Sequence, residues 1–306
     1  MKYSYILFSL LALILAASPA RAAYIDLGVA GEYNAFIFND FVSSNTDIEG
    51  RLAVGGSATI SNFYIGSALP TGYTGNAAVV GNDFIFANGT IAGNVTVGGS
   101  ASLSGIDLSA ITVADHAGLP FDFAEQELYL KGLSASLGAY AATGSDVLSG
   151  STLTLTGDGS SLFQIFNLDV SDLLNSNTLL LSGILEGSTI LINVSGETAN
   201  LSNAGLQALD EFSDNVLFNF YEATSLSLGS IGVEGSILAP YAAVSGGWGN
   251  IDGTLIASSY TGTMELHDNP FDGGTPVPEP GTFLIMGAGL LGLAGFMRRS
   301  KRRNNA

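Results

Sequence analysis

The chain has 306 residues, 47% hydrophobic and 12% charged, with nine Lys and Arg against 27 Asp and Glu for a net charge of −18. That balance repels a phosphate backbone and excludes nucleic acid as a default partner. The absence of Cys excludes disulfides, a thiol nucleophile and a thiolate zinc site, and two His leave little for imidazole or metal chemistry.

The N-terminal residues read as an export signal. Lys2 is followed by an apolar run over 6–17 and by the small-x-small pattern Ala20-Arg21-Ala22. The expectation is a signal peptide over 1–22, cut by signal peptidase at Ala20 and Ala22, with the exported chain starting near Ala23. An uncleaved anchor or a buried helix is the alternative.

Residues 23–272 are rich in Gly, Ser, Thr, Asn, Ala, Val, Ile and Leu, which is strand and turn material. Four segments, 48–60, 91–103, 233–244 and 251–260, share the core Ile/Val-x-Gly-x-aliphatic. Short alternating strands separated by Gly turns predict coils of a β-solenoid, each burying an inward aliphatic row against its neighbours. A β-sandwich with Gly-rich hairpins is the alternative. One segment, about 122–142, instead has apolar residues at helical spacing: Phe123, Leu130, Leu133, Leu137 and Ala141. Asp122 and Glu125 fit a capping box, Glu127 and Lys131 an i,i+4 pair, and Pro120 and Gly144 bracket the element. It is expected to lie along the solenoid and cover one apolar flank.

The opening stretch 33–42 (YNAFIFNDFV), followed by 47–56 (DIEGRLAVGG), resembles the choice-of-anchor A domain, an adhesin-like module found with different C-terminal anchors. The resemblance spans most of residues 25–268. The order of β coils, one long helix, then Leu153-Thr154-Leu155-Thr156 and further strands is also similar to the ice-binding β-solenoid family. This likeness implies a right-handed parallel β-helix with one long flanking α-helix. It transfers no activity, because function belongs to sites and not to folds.

No catalytic constellation stands out within the domain. His116 and His267 are about 150 positions apart, and neither H-E-x-x-H nor G-x-S-x-G occurs. A polysaccharide-active enzyme would draw on paired acids, but Arg51 and Lys131 are the basic residues between the two termini. Arg51 is expected to pair with Asp47 or Glu49. Calcium is a weak option at Asp158 in Gly157-Asp158-Gly159-Ser160; the plainer reading is a solvated acid, and no cofactor or metal site is assigned. Ice binding would need matching hydroxyl ladders on adjacent coils; Thr152, Thr154 and Thr156 alternate on one strand, Ser225 and Ser227 on another. Trp248, the sole Trp, lies between glycines in an expected loop, with Tyr241 and Tyr260 nearby as possible ligand contacts. Trp248 either caps the solenoid core or stacks on a sugar.

The C-terminal residues have three features in order: Val277-Pro278-Glu279-Pro280, an apolar run over 281–297, and the basic cluster Arg298, Arg299, Lys301, Arg302 and Arg303. The run is at the short end for a transmembrane helix, and the basic residues would hold its end on the cytoplasmic side. Gly287, Gly289 and Gly292 match a dinucleotide fingerprint, but no strand precedes them and the pattern is discarded. The tail over 273–306 resembles the PEP-CTERM sorting signal, which implies recognition by an exosortase. A plain tail anchor after a Pro-rich linker is the alternative. The expectation is a non-enzymatic exported protein, held by its C-terminal helix and then placed on the cell surface or in the extracellular matrix. Its partners there would be exopolysaccharide or another surface polymer. An ice-binding protein or a polysaccharide-active enzyme are the alternatives.

Overall fold

A computed structural model describes residues 24–109, 111–202 and 205–273. The expected signal peptide, its cleavage residues, the sorting motif, the 281–297 span and the basic tail lie outside the described residues. Among the described residues, no helix is long and apolar enough to cross a membrane.

The body is a solenoid of short parallel strands in three ladders. The first ladder runs β12 (Phe163–Asp169), β14 (Thr189–Ser195), β16 (Val216–Asn219), the start of β18 (Ser236–Asp252), β19 (Leu255–Gly262), β1 (Ala35–Ile37), β3 (Leu52–Val54), β5 (Asn76–Val80), β7 (Asn94–Val97) and β9 (Val113–Ala114). The second runs β15 (Thr198–Ser202), β17 (Ser225–Glu234), the middle of β18, the end of β19, β2 (Phe41–Ile48), β4 (Ala58–Ile65), β6 (Phe84–Ile91) and β8 (Ala101–Ser104). The third joins the second halves of β17 and β18 through β20 (Glu265–His267) to those of β2, β4 and β6. Parallel pairing throughout this body overturns the β-sandwich alternative.

The four repeated segments occupy equivalent places. Ile48, Ile91, Val233 and Ile251 end the third ladder, and Leu52, Val95, Ile237 and Leu255 begin the first, all in the interior core. The glycines between them turn a buried corner. At Gly253 a Cβ would sit 2.6 Å from the Gly235 backbone, and at Gly235 2.7 Å from Val216. The spacing is irregular because chain order and coil order differ. The chain starts at β1 in mid-body, winds outward to β9, and then re-enters through β12 to wind back. Its last coil, β19 and β20, docks between β18 and the first coil.

The long helix, α1 (Phe123–Gly138), sits on the first ladder. Asp122 caps it by accepting from the amides of Ala124 at 2.8 Å and Glu125 at 3.3 Å, and Lys131 donates to Glu127 at 2.6 Å. Leu130 and Leu137 pack with Leu191, Leu217, Leu238 and Ile256, the outward residues of that ladder, while Ile190, Phe218, Ile237 and Leu255 point into the solenoid. The ladder is therefore apolar on both sides, as a parallel sheet covered by a helix requires. The helix ends about four residues before the expected 142. Gly138 lies tight against the Tyr221 ring, and the Tyr140 carbonyl accepts from Asn167, so Ala141 is exposed outside the helix. A short helix, α2 (Val170–Leu174), packs beside β15 at the end of the second ladder, with Asp169 and Asp172 forming a reciprocal capping box. An antiparallel hairpin, β10 (Ser145–Ser149) and β11 (Thr152–Thr156), pairs with β13 (Thr178–Ser182) as a separate sheet.

Candidate functional site

The second ladder presents its outer face uncovered along its middle coils. Phe41, Ile60, Phe84, Phe86, Leu226, Val244 and Tyr260 fill its inner side. Strand alternation sends the intervening residues outward. The register aligns Asn200, Ser227, Ser245, Thr261, Val42, Thr59, Ile85 and Ser102 in one row. A second row contains Ser202, Gly229 and Gly247 on one side and Ser44, Ser61, Ala87 and Ser104 on the other. These side chains are short and mostly hydroxylated, which makes a low-relief surface. Val42 and Ile85, 43% and 49% exposed, add methyl groups to it. Rungs of a parallel ladder lie about 4.8 Å apart, so the rows repeat at that interval across eight strands.

Ser225 and Ser227 thus belong to matching ladders, whereas the Thr152, Thr154 and Thr156 strand does not. It lies in the separate sheet, where Thr154 is flanked by Val147 and Leu180.

The third ladder is acidic on its outside. Glu234, Asp252 and His267 follow one another in register, with Asn250 and Glu265 in the adjacent row. His267 Nδ1 bonds Asp252, and Nε2 lies 3.6 Å from Glu265. Asn250 donates to Asp252 at 3.1 Å, and the Asp268 amide to Glu49 at 2.9 Å. Burial, then the hydrogen bond and charge of Asp252, push Glu234 up to about 7. Among the described residues, no group of three His, Asp or Glu side chains is placed to hold a metal ion. Asp158 is used locally: its carboxylate accepts from the amides of Ser160 and Ser161 at 2.8 Å and from Gln164 at 2.9 Å. His116 bonds through its backbone to Gly99, several coils from His267, so the two histidines do not meet.

The three aromatic candidates are not brought together. Tyr260 is a core residue, 1% exposed, with its ring 5.1 Å from Phe41 and its hydroxyl accepting from the Met264 amide at 3.2 Å. It alternates inward with Val244, so its ring is not presented at the surface. Tyr241 lies at the corner between the first two ladders, where Lys131 of α1 sits 4.7 Å above its ring. Trp248 occupies the opposite corner, between the second and third ladders, and is 84% exposed. This corrects both the capping reading and the expected loop: Trp248 covers no core and lies within β18. Arg51 also departs from expectation. It bonds Glu32 at 3.2 Å and the Tyr33 hydroxyl at 2.9 Å and lies 4.2 Å above the Tyr33 ring. Asp47 instead accepts from Ser67.

The second corner has a signal in the sequence, a recurring Asn. Asn45, Asn62 and Asn88 occupy left-handed backbone positions, which Asn tolerates, at equivalent points of three coils.

Residues 26–268 match the family described as "Putative Ice-binding-like adhesive domain", and residues 276–303 match the PEP-CTERM protein-sorting motif. No curated protein matches. Two solved structures are similar. An ice-binding protein from the Antarctic ascomycete Antarctomyces psychrotrophicus is 14% identical with a TM-score of 0.39, covering 79% of this chain and 96% of that one. An ice-binding protein from an Antarctic biological consortium is 12% identical with a TM-score of 0.31, covering 80% and 89%. The PEP-CTERM motif indicates export with membrane-associated sorting, and implies processing by an exosortase, a membrane protease. The chain belongs to the ice-binding-like adhesive domain family and carries a PEP-CTERM sorting motif.

Proposed function

We propose that this is a surface or extracellular-matrix adhesin whose contact surface is the hydroxyl face of the second ladder. The observation that carries the reading is the register that aligns Ser227, Ser245, Thr261 and Thr59 in one row on successive coils. Low relief and repeated hydroxyls suit many weak contacts to a repetitive surface, and no bond is broken. The signal peptide over 1–22 exports the chain. The tail over 273–306 then holds it at the membrane through the 281–297 span until exosortase processing places it on the surface.

The test is retention of cells displaying the full protein on a coat of their own exopolysaccharide. Ser245→Arg with Thr261→Arg puts two long cations into the row, and both positions are exposed. Retention is expected to fall about tenfold at an unchanged thermal midpoint, the size of about 1.4 kcal/mol of lost contact. Undiminished retention would remove the face from the function.

Ice is the second reading, favoured by the same adjacency of rows on successive coils. It requires that the full chain, in detergent micelles, inhibit ice recrystallisation and that the double Arg variant not do so. Inactivity of the wild-type chain eliminates it.

A further inference from the structure

We propose that the corner between the second and third ladders binds an extended, neutral polysaccharide, with Trp248 stacked on one pyranose ring and Asn45, Asn62 and Asn88 bonding the hydroxyls of further sugars. The inference deepens the adhesive reading and rests on it for its setting, because it names the class of polymer held beside the hydroxyl face.

Five non-glycine residues at this corner have positive φ: Ser230 at 53°, Trp248 at 58°, Asn45 at 58°, Asn62 at 50° and Asn88 at 60°. The register puts them on one line. Gly229 pairs Gly247 and Ile231 pairs Gly249, which sets Ser230 beside Trp248. Ser44 pairs Ser61 and Thr46 pairs Phe63, which sets Asn45 beside Asn62, and the next pairs set Asn62 beside Asn88. Asn62 donates to Asn45 at 3.1 Å. Thr263, in the turn before β20, lies between the Trp248 and Asn45 coils.

Asn is at home in this backbone conformation, whereas a bulky side chain is strained in it. The fold gains nothing in return at Trp248. The indole is 84% exposed and has no ring contact or hydrogen bond among the described residues. Strain kept where packing does not repay it points to a ligand. An exposed indole between two glycines offers an aromatic plane to the C–H face of a sugar. The amides that follow, on rungs about 4.8 Å apart, offer paired donors and acceptors at intervals near the length of a sugar residue.

Charge selects a neutral polymer. Glu234, Asp252, Glu265 and Asp47 lie on the adjoining face. Among the described residues, Arg51 is engaged by Glu32 and Tyr33, Lys131 by Glu127 and Tyr241, and His267 by Asp252. Among the described residues no Lys or Arg is left to receive a polyanion, and the net charge of −18 repels one.

Trp248 is the sole Trp, so tryptophan emission of the full chain in detergent micelles reports this corner alone. The probes are hydroxyethyl cellulose, a neutral glucan, and carboxymethyl cellulose, its acidic counterpart. The expected result is a blue shift and a severalfold loss of acrylamide quenching with the neutral polymer only. In affinity gels containing it, Trp248→Asn, which suits the corner, is expected to lose at least tenfold in affinity, and Asn62→Ala about threefold. Unchanged emission with hydroxyethyl cellulose, equal retardation of Trp248→Asn, or a stronger response to the acidic polymer overturns the proposal. So does an emission shift that follows protein concentration alone, which would assign the indole to a second copy. Trp248→Asn leaves the hydroxyl rows intact. Loss of cell retention in the double Arg variant without any glycan response sinks this inference alone. Full retention in that variant with the glycan response present sinks the adhesive reading alone.

Discussion

Ser134 of α1 and Asn219 of β16, 85 residues apart, exchange two hydrogen bonds: the Ser134 hydroxyl donates to Asn219 Oδ1 at 2.6 Å, and Asn219 Nδ2 donates to the Ser134 carbonyl at 2.9 Å. The same Nδ2 donates to Asn193 Oδ1 at 2.8 Å, and Asn193 Nδ2 reaches the Leu137 carbonyl and Asn167. A row of three amides on successive rungs thus fixes the helix to the sheet inside an otherwise apolar contact. Asn219→Ala leaves the Ser134 hydroxyl and Asn193 Oδ1 buried without these partners. It is expected to cost about 2–3 kcal/mol. Urea denaturation measures it, and a loss below about 0.5 kcal/mol contradicts the network's importance.

Coils also stack closely at the corner between the first and second ladders. A Cβ on Gly81 would lie 2.0 Å from the Gly55 carbonyl oxygen, and one on Gly98 would lie 2.2 Å from that of Gly81. Gly81→Ala must separate two coils that share hydrogen bonds. The expected loss is about 3 kcal/mol, the upper end for a methyl forced into packed structure. Calorimetry checks it; a variant as stable as wild type shows that the corner can yield.

Trp248 predicts the opposite sign. Trp248→Gly removes a bulky residue from φ 58° and gives up no packing. Stability is expected to rise by about 1 kcal/mol, the strain of one left-handed residue. A lower denaturation midpoint would mean that the indole packs on the fold.

The third ladder sets a pH dependence. Glu234 is raised from 4.5 to about 7 by burial, then by Asp252 and Asp210, with His267 opposing. Burial pulls His267 down, but the hydrogen bond and charge of Asp252, with the charges of Glu49 and Glu265, outweigh it and leave it above 6.5. Raised values mean that the folded chain binds more protons than the unfolded one, so stability falls as pH rises through the window. For Glu234 the window runs from 4.5 to about 7, and for His267 it starts at 6.5. Hydrogen bonds from Ser109, Ser161 and Ser171 hold Asp107, Asp158 and Asp169 low and act in the other direction below 3.8. The thermal midpoint should therefore be higher at pH 5 than at pH 8, and Glu234→Gln should flatten the slope below 7. A flat wild-type profile refutes this account.

Much of the body was legible because its determinants are local. The Ile/Val-x-Gly-x-aliphatic segments locate one buried corner in four coils, because a Cβ there would run into Asp268 and Asn34 at Gly50, Tyr73 at Gly93, Val216 at Gly235 and the Gly235 backbone at Gly253. The Asp122 cap, the Glu127 pair and the leucine spacing define α1 to within four residues at its C-terminal end. The aromatic candidates were legible in type but not in place. Tyr260 and Trp248 lie twelve positions apart, yet one is sealed in the core and the other stands in solvent. Alternation decides the first, and a reversal of φ at one corner residue decides the second.

The sequence by itself determined what is written in short-range pattern: the strand-and-glycine composition, the helix, the acidic charge and the sorting motif. Tertiary structure alone decided which strands are neighbours. The first coil sits between the last coil and the second, so rows such as Ser245, Thr261, Val42 and Thr59 combine residues about 200 positions apart. Such rows have no sequence signature, because parallel pairing is set by the stacking of whole coils and not by any interval along the chain.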